Sequence, residues 1–240
     1  MFAILSNSIL TLAYPQACEI CGKSVENFAD GKACEDCWNE TRIFTGNEML
    51  CEKCGEFLSE NSGGFKNFCN RCKEDFYDKA VACGIYEKAL LLMILKLKRE
   101  PFVPQKISNL LLETFDKADF SDVTKIIPVP LSTERFRERT YNQATILANM
   151  LSKKTGLPTD ELSLVRLIHT AKYRRGMDRK GRAMSVKNAF QVQRPKLIKD
   201  QTILLVDDVF TTGATVSNCA KVLKKSGAKK VYVITIAHAL

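Results

Sequence analysis

The chain has 240 residues, 45% hydrophobic and 26% charged, the balance of a globular protein long enough to bury one core or two. No run of 18 apolar residues occurs, which excludes a bilayer-spanning helix. The net charge of +9 is unevenly spread: residues 1–79 hold 8 basic against 13 acidic side chains (−5), and residues 80–240 hold 28 against 14 (+14). That asymmetry predicts two domains, 1–79 and 80–240, and a phosphate-rich partner for the second, without saying whether that partner is nucleic acid or a small phosphate ester.

The first 18 residues carry no charge but also lack a basic leader, and Ser6, Asn7, Ser8 and Thr11 interrupt the apolar run. The reading is a short amphipathic entry helix ending at Pro15 rather than a signal peptide. Four C-x2-C pairs follow: Cys18/Cys21, Cys34/Cys37, Cys51/Cys54 and Cys69/Cys72, with 12, 13 and 14 residues between pairs. Two sulfurs separated by two residues bend onto one metal in a tight turn, and four thiolates complete a tetrahedral site. A disulfide framework would require an export signal, and thioredoxin-like chemistry uses a single such pair, so the spacing favours zinc; an iron–sulfur cluster would use the same four thiolates. Cys-x2-Cys-Gly turns recur at Gly22 and Gly55, an internal duplication that predicts sequential sites, Cys18–Cys37 on one zinc and Cys51–Cys72 on another. An interleaved pairing also satisfies the spacing. Cys83 and Cys219 stand in apolar settings and read as core.

Beyond residue 80 the pattern alternates. "VACGIY" reads as a strand, Lys88–Lys98 and Pro104–Lys117 as helices, "KIIPVP" as a short buried strand, and Thr133–Lys154 as one helix capped by Ser132 or Thr133. Leu164–Ile168 is a further strand candidate. "QTILLVDD" is a strong buried strand, Gly213–Lys225 a helix closed by Gly227, and "KKVYVITIA" a final strand. Continuous apolar strands alternating with helices predict an α/β fold, a parallel sheet with helices on both faces. The chemistry gathers at "ILLVDDVFTTGAT". A buried strand ends in Asp207 and Asp208, and a turn with Thr211, Thr212 and Gly213 opens a helix carrying Thr215. A helix N-terminus with hydroxyl donors suits a phosphate, and adjacent carboxylates suit the vicinal hydroxyls of a sugar, so a sugar phosphate is the expected ligand. A Walker-B reading fails because no G-x4-G-K-[ST] is present. The helix face "ERFRER" (Glu134–Arg139) reads first as solvated, with Arg135 and Arg139 as candidates for a pocket rim or for DNA. His169 and His238 have no recognisable partners.

These motifs carry a resemblance. The 203–215 stretch resembles the signature of type I phosphoribosyltransferases, which bind 5-phosphoribosyl-1-pyrophosphate (PRPP). The whole chain, through "LAYPQACEIC", the C-x2-C pairs, "GIYEKALLLMILKLK", "IIPVPLS", "RTYNQA", "KNAF" and "LLVDDVFTTGAT", is similar to the ComF family (the ComFC/GntX-like group) of competence proteins, which joins a zinc ribbon to a phosphoribosyltransferase-like domain. The resemblance implies a small N-terminal double zinc ribbon followed by a type I phosphoribosyltransferase-like sheet. It implies that Asp207, Asp208, Thr211, Thr212, Gly213, Ala214 and Thr215 hold the ribose 5-phosphate. It places a pyrophosphate loop at Pro130, Leu131 and Ser132, and a flap whose Lys172, Arg174, Arg175, Arg179 and Arg182 neutralise pyrophosphate bridged by Mg²⁺. The chain departs from the family pattern at Thr140, where the family reads Gly, at Ser185, where it tends to read Asn, and near Arg174, where it tends to read Gln.

Three functions follow from the resemblance: a cytoplasmic PRPP-binding protein of natural transformation that handles internalised single-stranded DNA, with other competence or recombination proteins as partners and no membrane insertion; an active phosphoribosyltransferase acting on an unidentified acceptor; or a catalytically inert PRPP sensor. Eleven basic residues and one acid between Val165 and Lys199 suit backbone phosphates, but only Tyr173 and Phe190 interleave there as stacking rings.

Overall fold

The computed structural model describes residues 15–58, 68–167 and 189–239. The entry helix before Pro15 and the flap residues Lys172, Arg174, Arg175, Arg179 and Arg182 lie outside them. Four β-branched, apolar runs become parallel strands: β1 (Lys79–Ile85), β2 (Lys125–Pro128), β5 (Thr202–Phe210) and β6 (Lys230–His238), in the order β1-β6-β5-β2. Successive residues of β5 point to opposite faces. Leu204 and Val206 join Ile126, Ile234 and Ile236 in one core, whereas Ile203 and Leu205 join Ile127, Val231 and Val233 in the other. A parallel sheet buried on both sides needs helices on both, and it has them. The first core takes α2 (Lys88–Leu97), α3 (Gln105–Lys117) and α5 (Gln143–Thr155); the second takes α6 (Ala214–Lys225). A separate antiparallel pair, β3 (Leu164–Arg166) with β4 (Phe190–Val192), stands beside α6. Among the described residues no helix is long and apolar enough to cross a membrane.

The cysteine-rich segment splits between the two cores. Cys18, Val25, Ala33, Cys34 and Cys37, with Trp38 on the short α1 (Glu35–Asn39), are buried in the first, against the helices; Cys51, Cys54, Cys72 and Tyr77 are buried in the second. The link between them straps the free edge of β1. Ile43 bridges Gly84 antiparallel, Phe44 N–H donates to the Cys83 carbonyl at 2.8 Å, and Ile85 N–H donates to the Arg42 carbonyl at 2.9 Å. Gly84 is what lets the strap lie so close, because a Cβ there would strike the Arg42 carbonyl oxygen and stand 2.9 Å from Leu90 Cδ1. Gly84→Ala is expected to cost about 2 kcal/mol, or about 4–8 °C in Tm by thermal unfolding; an unchanged Tm would show that the strap yields freely.

One sequence expectation is corrected. Thr133–Lys154 is not a single helix: α4 (Thr133–Arg139) ends at Thr140, which adopts a left-handed conformation (φ 66°), and α5 begins after Asn142. The helical period runs through the break, but Asn142 turns its side chain to cap α5 through the Ala144 N–H at 3.1 Å, a local bond that competes with helix continuation. The start is as expected, with Ser132 capping α4 through the Arg135 N–H.

Candidate functional site

The two cysteine groups are sequential, not interleaved. One sulfur each from Cys18, Cys21, Cys34 and Cys37 lies within 4.8 Å of the others, and the same holds for Cys51, Cys54, Cys69 and Cys72. The Cys18–Cys37, Cys21–Cys34, Cys51–Cys72 and Cys54–Cys69 sulfur pairs are 3.7, 3.5, 3.6 and 3.4 Å apart. A tetrahedral zinc with bonds of about 2.3 Å spaces its sulfurs by about 3.8 Å, so both donor sets fit that ion. Burial pushes the Cys18 thiol up, but backbone N–H groups of Cys34, Cys21 and Ile20 outweigh it and bring it to about 6. At Cys51 the N–H groups of Cys69, Cys54 and Lys53 outweigh burial in the same way and give about 7. Each group thus has a knuckle that favours thiolate, the form that binds metal.

The second site lies at the carboxyl ends of β2 and β5, where parallel sheets place their ligands. A cleft of about 280 Å³ there is lined by Asp207, Asp208, Thr211 and Thr215 on one side and by Pro130, Leu131, Arg135, Arg139 and Gln143 on the other, with Lys98 and Arg166 also in its wall. The turn after β5 reaches α6 through Gly213 at φ 74°, a conformation that disfavours any residue with a side chain, and a Cβ there would meet Phe210 Cζ at 2.8 Å. The N-cap glycine has no side chain to offer, and the Ala214 N–H that opens α6 instead donates to Thr212 Oγ1 at 3.5 Å. Thr212, Gly213 and Ala214 shape this turn but do not line the cleft, and Ser132 is buried as the α4 cap. Asp207 accepts the N–H of Asp208 at 2.9 Å, and Asp208 pairs with the Lys98 ammonium at 3.0 Å. Burial first, and the neighbouring Asp208 charge second, push the Asp207 carboxyl up to about 8.

The opposite wall is held by the broken helix. The Asn142 amide donates to the Val129 carbonyl at 3.0 Å and so fixes the start of the 129–132 turn, while Arg139 donates to Gln143 Oε1 at 2.9 Å. Glu134, Arg137 and Glu138 are exposed as expected of a solvated face, but Arg135 and Arg139 are half-buried and point into the cleft wall. Arg166 lies 5.4 Å over the Phe190 ring; burial and the Arg135 charge push its guanidinium below its ordinary value. His238 is buried and stacks on Phe210 at 4.9 Å, away from this lining. Sequence reasoning named Asn142 and Gln143 only within the RTYNQA motif, with no role, and did not single out Lys98 or Arg166. Asn142 carried a further signal as a capping residue directly before an apolar helical run.

The fold and its two kinds of site define a class: a double zinc ribbon joined to a phosphoribosyltransferase-type sheet. Family models agree, one described as double zinc ribbon domain matching residues 9–73 and one as phosphoribosyl transferase domain matching residues 138–239. The chain is 30% identical to competence protein F of Haemophilus influenzae, over 89% of this chain and 93% of that one. It is 29% identical to the DNA utilization protein YhgH of Salmonella typhimurium, over 80% and 85%, and 23% identical to competence protein ComFC of Bacillus subtilis, over 79% and 84%. The chain belongs to the ComF family of competence proteins.

Proposed function

We propose that this protein binds PRPP in the cleft at the end of β5 and takes part in natural transformation, handling internalised single-stranded DNA in the cytoplasm. The observation that carries the first half is the meeting of an acid pair and a threonine-rich helix N-terminus with Lys98, Arg135, Arg139 and Arg166 in one cleft. A ribose diol suits the acids, a 5-phosphate suits the Thr211–Thr215 turn, and a pyrophosphate suits the cationic wall. Mg²⁺ belongs to this reading as a companion of the pyrophosphate, and the eight thiols as holders of two zinc ions. The DNA half is supported by the net +14 of residues 80–240 and by the names of the relatives, a competence protein and a DNA utilization protein. The division into a ribbon domain (1–79) and a PRPP domain (80–240), and a place for the 172–182 basic residues over the site, are parts of the same proposal.

Calorimetric titration with PRPP and Mg²⁺ tests the pocket: saturable micromolar binding is expected, and no heat from folded, zinc-loaded protein would overturn it. Pyrophosphate release with a broad panel of amine and base acceptors separates a transferase from a binding protein. Single-stranded DNA affinity is expected to fall steeply as salt rises; salt-independent binding would sink the DNA half.

A further inference from the structure

The acid pair at the end of β5 is matched by a cation from far away in the chain. Lys98 follows the last turn of α2, where the negative end of the helix dipole favours a positive side chain. Its backbone is held twice over: Lys98 N–H donates to Ile94 at 3.2 Å, and the carbonyl of Leu97 accepts the Tyr141 hydroxyl at 2.8 Å. Tyr141 precedes Asn142, which caps α5 and holds the Val129 carbonyl, so the lysine is registered against the opposite wall of the cleft. The ammonium lies 3.0 Å from Asp208 Oδ2, with the lysine side chain 26% exposed and the aspartate 16%. Three further cations, Arg135, Arg139 and Arg166, share the cleft. Among the described residues, only the two cysteine groups gather three or more metal-donor side chains.

We infer that Lys98 is a specificity-determining residue: a tethered counter-ion that takes the place of a divalent cation at Asp207 and Asp208, so that metal enters the cleft only on a pyrophosphate-bearing ligand. A bare divalent ion at the acid pair would sit against the Lys98 ammonium and inside a field of three arginines, and repulsion of that kind is weakly screened in a half-buried cleft. A metal–pyrophosphate complex carries net negative charge, so the same cations attract it. The inference deepens the PRPP reading for the ligand, but the effect on metal alone stands without PRPP.

The test uses the full zinc-loaded chain and Mn²⁺ as a paramagnetic stand-in for Mg²⁺, followed by electron paramagnetic resonance of the free ion. Without PRPP, the wild type is expected to bind no Mn²⁺ at this site. Lys98→Met is expected to gain one Mn²⁺ at this site, held about tenfold or more tightly than the weakest binding the measurement detects, since a unit charge has left the first few ångströms. That gain is expected to vanish in the Lys98→Met/Asp208→Asn double variant, whereas Lys98→Arg, which keeps the charge, behaves as the wild type. Wild-type Mn²⁺ binding that Asp208→Asn abolishes would overturn the inference, as would equal Mn²⁺ affinity in wild type and Lys98→Met. Where Lys98→Met fails to fold, Lys98→Gln, which also removes the charge, carries the same comparison. Failure of wild-type protein to bind PRPP would instead count against the pocket's proposed ligand.

Discussion

Cys37→Ser is expected to lower the zinc content from two ions to one and the Tm by about 10 °C or more, because the first metal site is part of the main core rather than an appendage. Cys37 and Trp38 share one buried cluster with Leu90, Met93, Ile94 and Ile107 of α2 and α3. Trp38 Nε1 donates to the Asp30 carbonyl at 3.0 Å, and Lys106 lies 4.8 Å over its ring, so loss of the knuckle reaches α3 directly. A structural zinc contributes about 10–16 kcal/mol to the folding of an isolated finger. Losing even about 4 kcal/mol of that would shift a chain of this size by about 10 °C or more. Burial raises the Cys37 thiol, as do its cysteine neighbours, so this sulfur holds its proton until metal arrives and the site binds zinc more weakly as pH falls. Metal analysis paired with scanning calorimetry checks the result. A variant with one zinc and the wild-type Tm would show that the first ribbon is energetically separate from the sheet.

Much of this arrangement was legible in the residues because it is local. The buried runs of β5 and β6, the C-x2-C duplication and the T-T-G-x-T turn each announce themselves within a dozen positions, since each is set by side-chain period or backbone freedom over that span. What escaped is set by distance. Lys98 stands more than a hundred positions from Asp208, and a lysine after the last turn of an amphipathic helix reads as a solvated C-cap until the fold brings it to a carboxylate. The partition of the two ribbons onto opposite faces of the sheet is equally invisible, because both halves of the duplication look alike and only packing distinguishes them. The break at Thr140 was hidden for another reason: the apolar period continues across it, and threonine, standing where the family reads Gly, does not announce a left-handed residue. That break lies between Arg139 and Gln143, both in the cleft wall, of which only Arg139 stood out as a rim candidate.

Asp207→Asn is expected to abolish PRPP binding while making the protein more stable at high pH. The carboxyl is held at about 8, against an ordinary 3.8, by burial first and the Asp208 charge second. Between about pH 4 and pH 8 the folded chain therefore keeps a proton that the unfolded chain has released. Stability contributed by this group is lost as pH rises through that window, and the full cost of ionising Asp207 is felt above about pH 8. Asparagine carries no such cost. The Tm of Asp207→Asn should match the wild type near pH 4 and exceed it above pH 8, by about 3–6 °C if 1–2 kcal/mol of the strain is relieved. Lys98 acts against the penalty without removing it, since its ammonium is spent on Asp208. Retaining a strained carboxylate makes sense only where the ionised form has work to do: two adjacent acceptors for the hydroxyls of a ribose, held at the mouth of a strand beside the α6 N-terminus. Calorimetry of both proteins across pH 4–9, with PRPP titrations at pH 8, checks both halves. A stability gap that stays constant across that range would refute the assignment of the strain to ionisation of Asp207, and undiminished PRPP binding by the variant would remove this residue from the site.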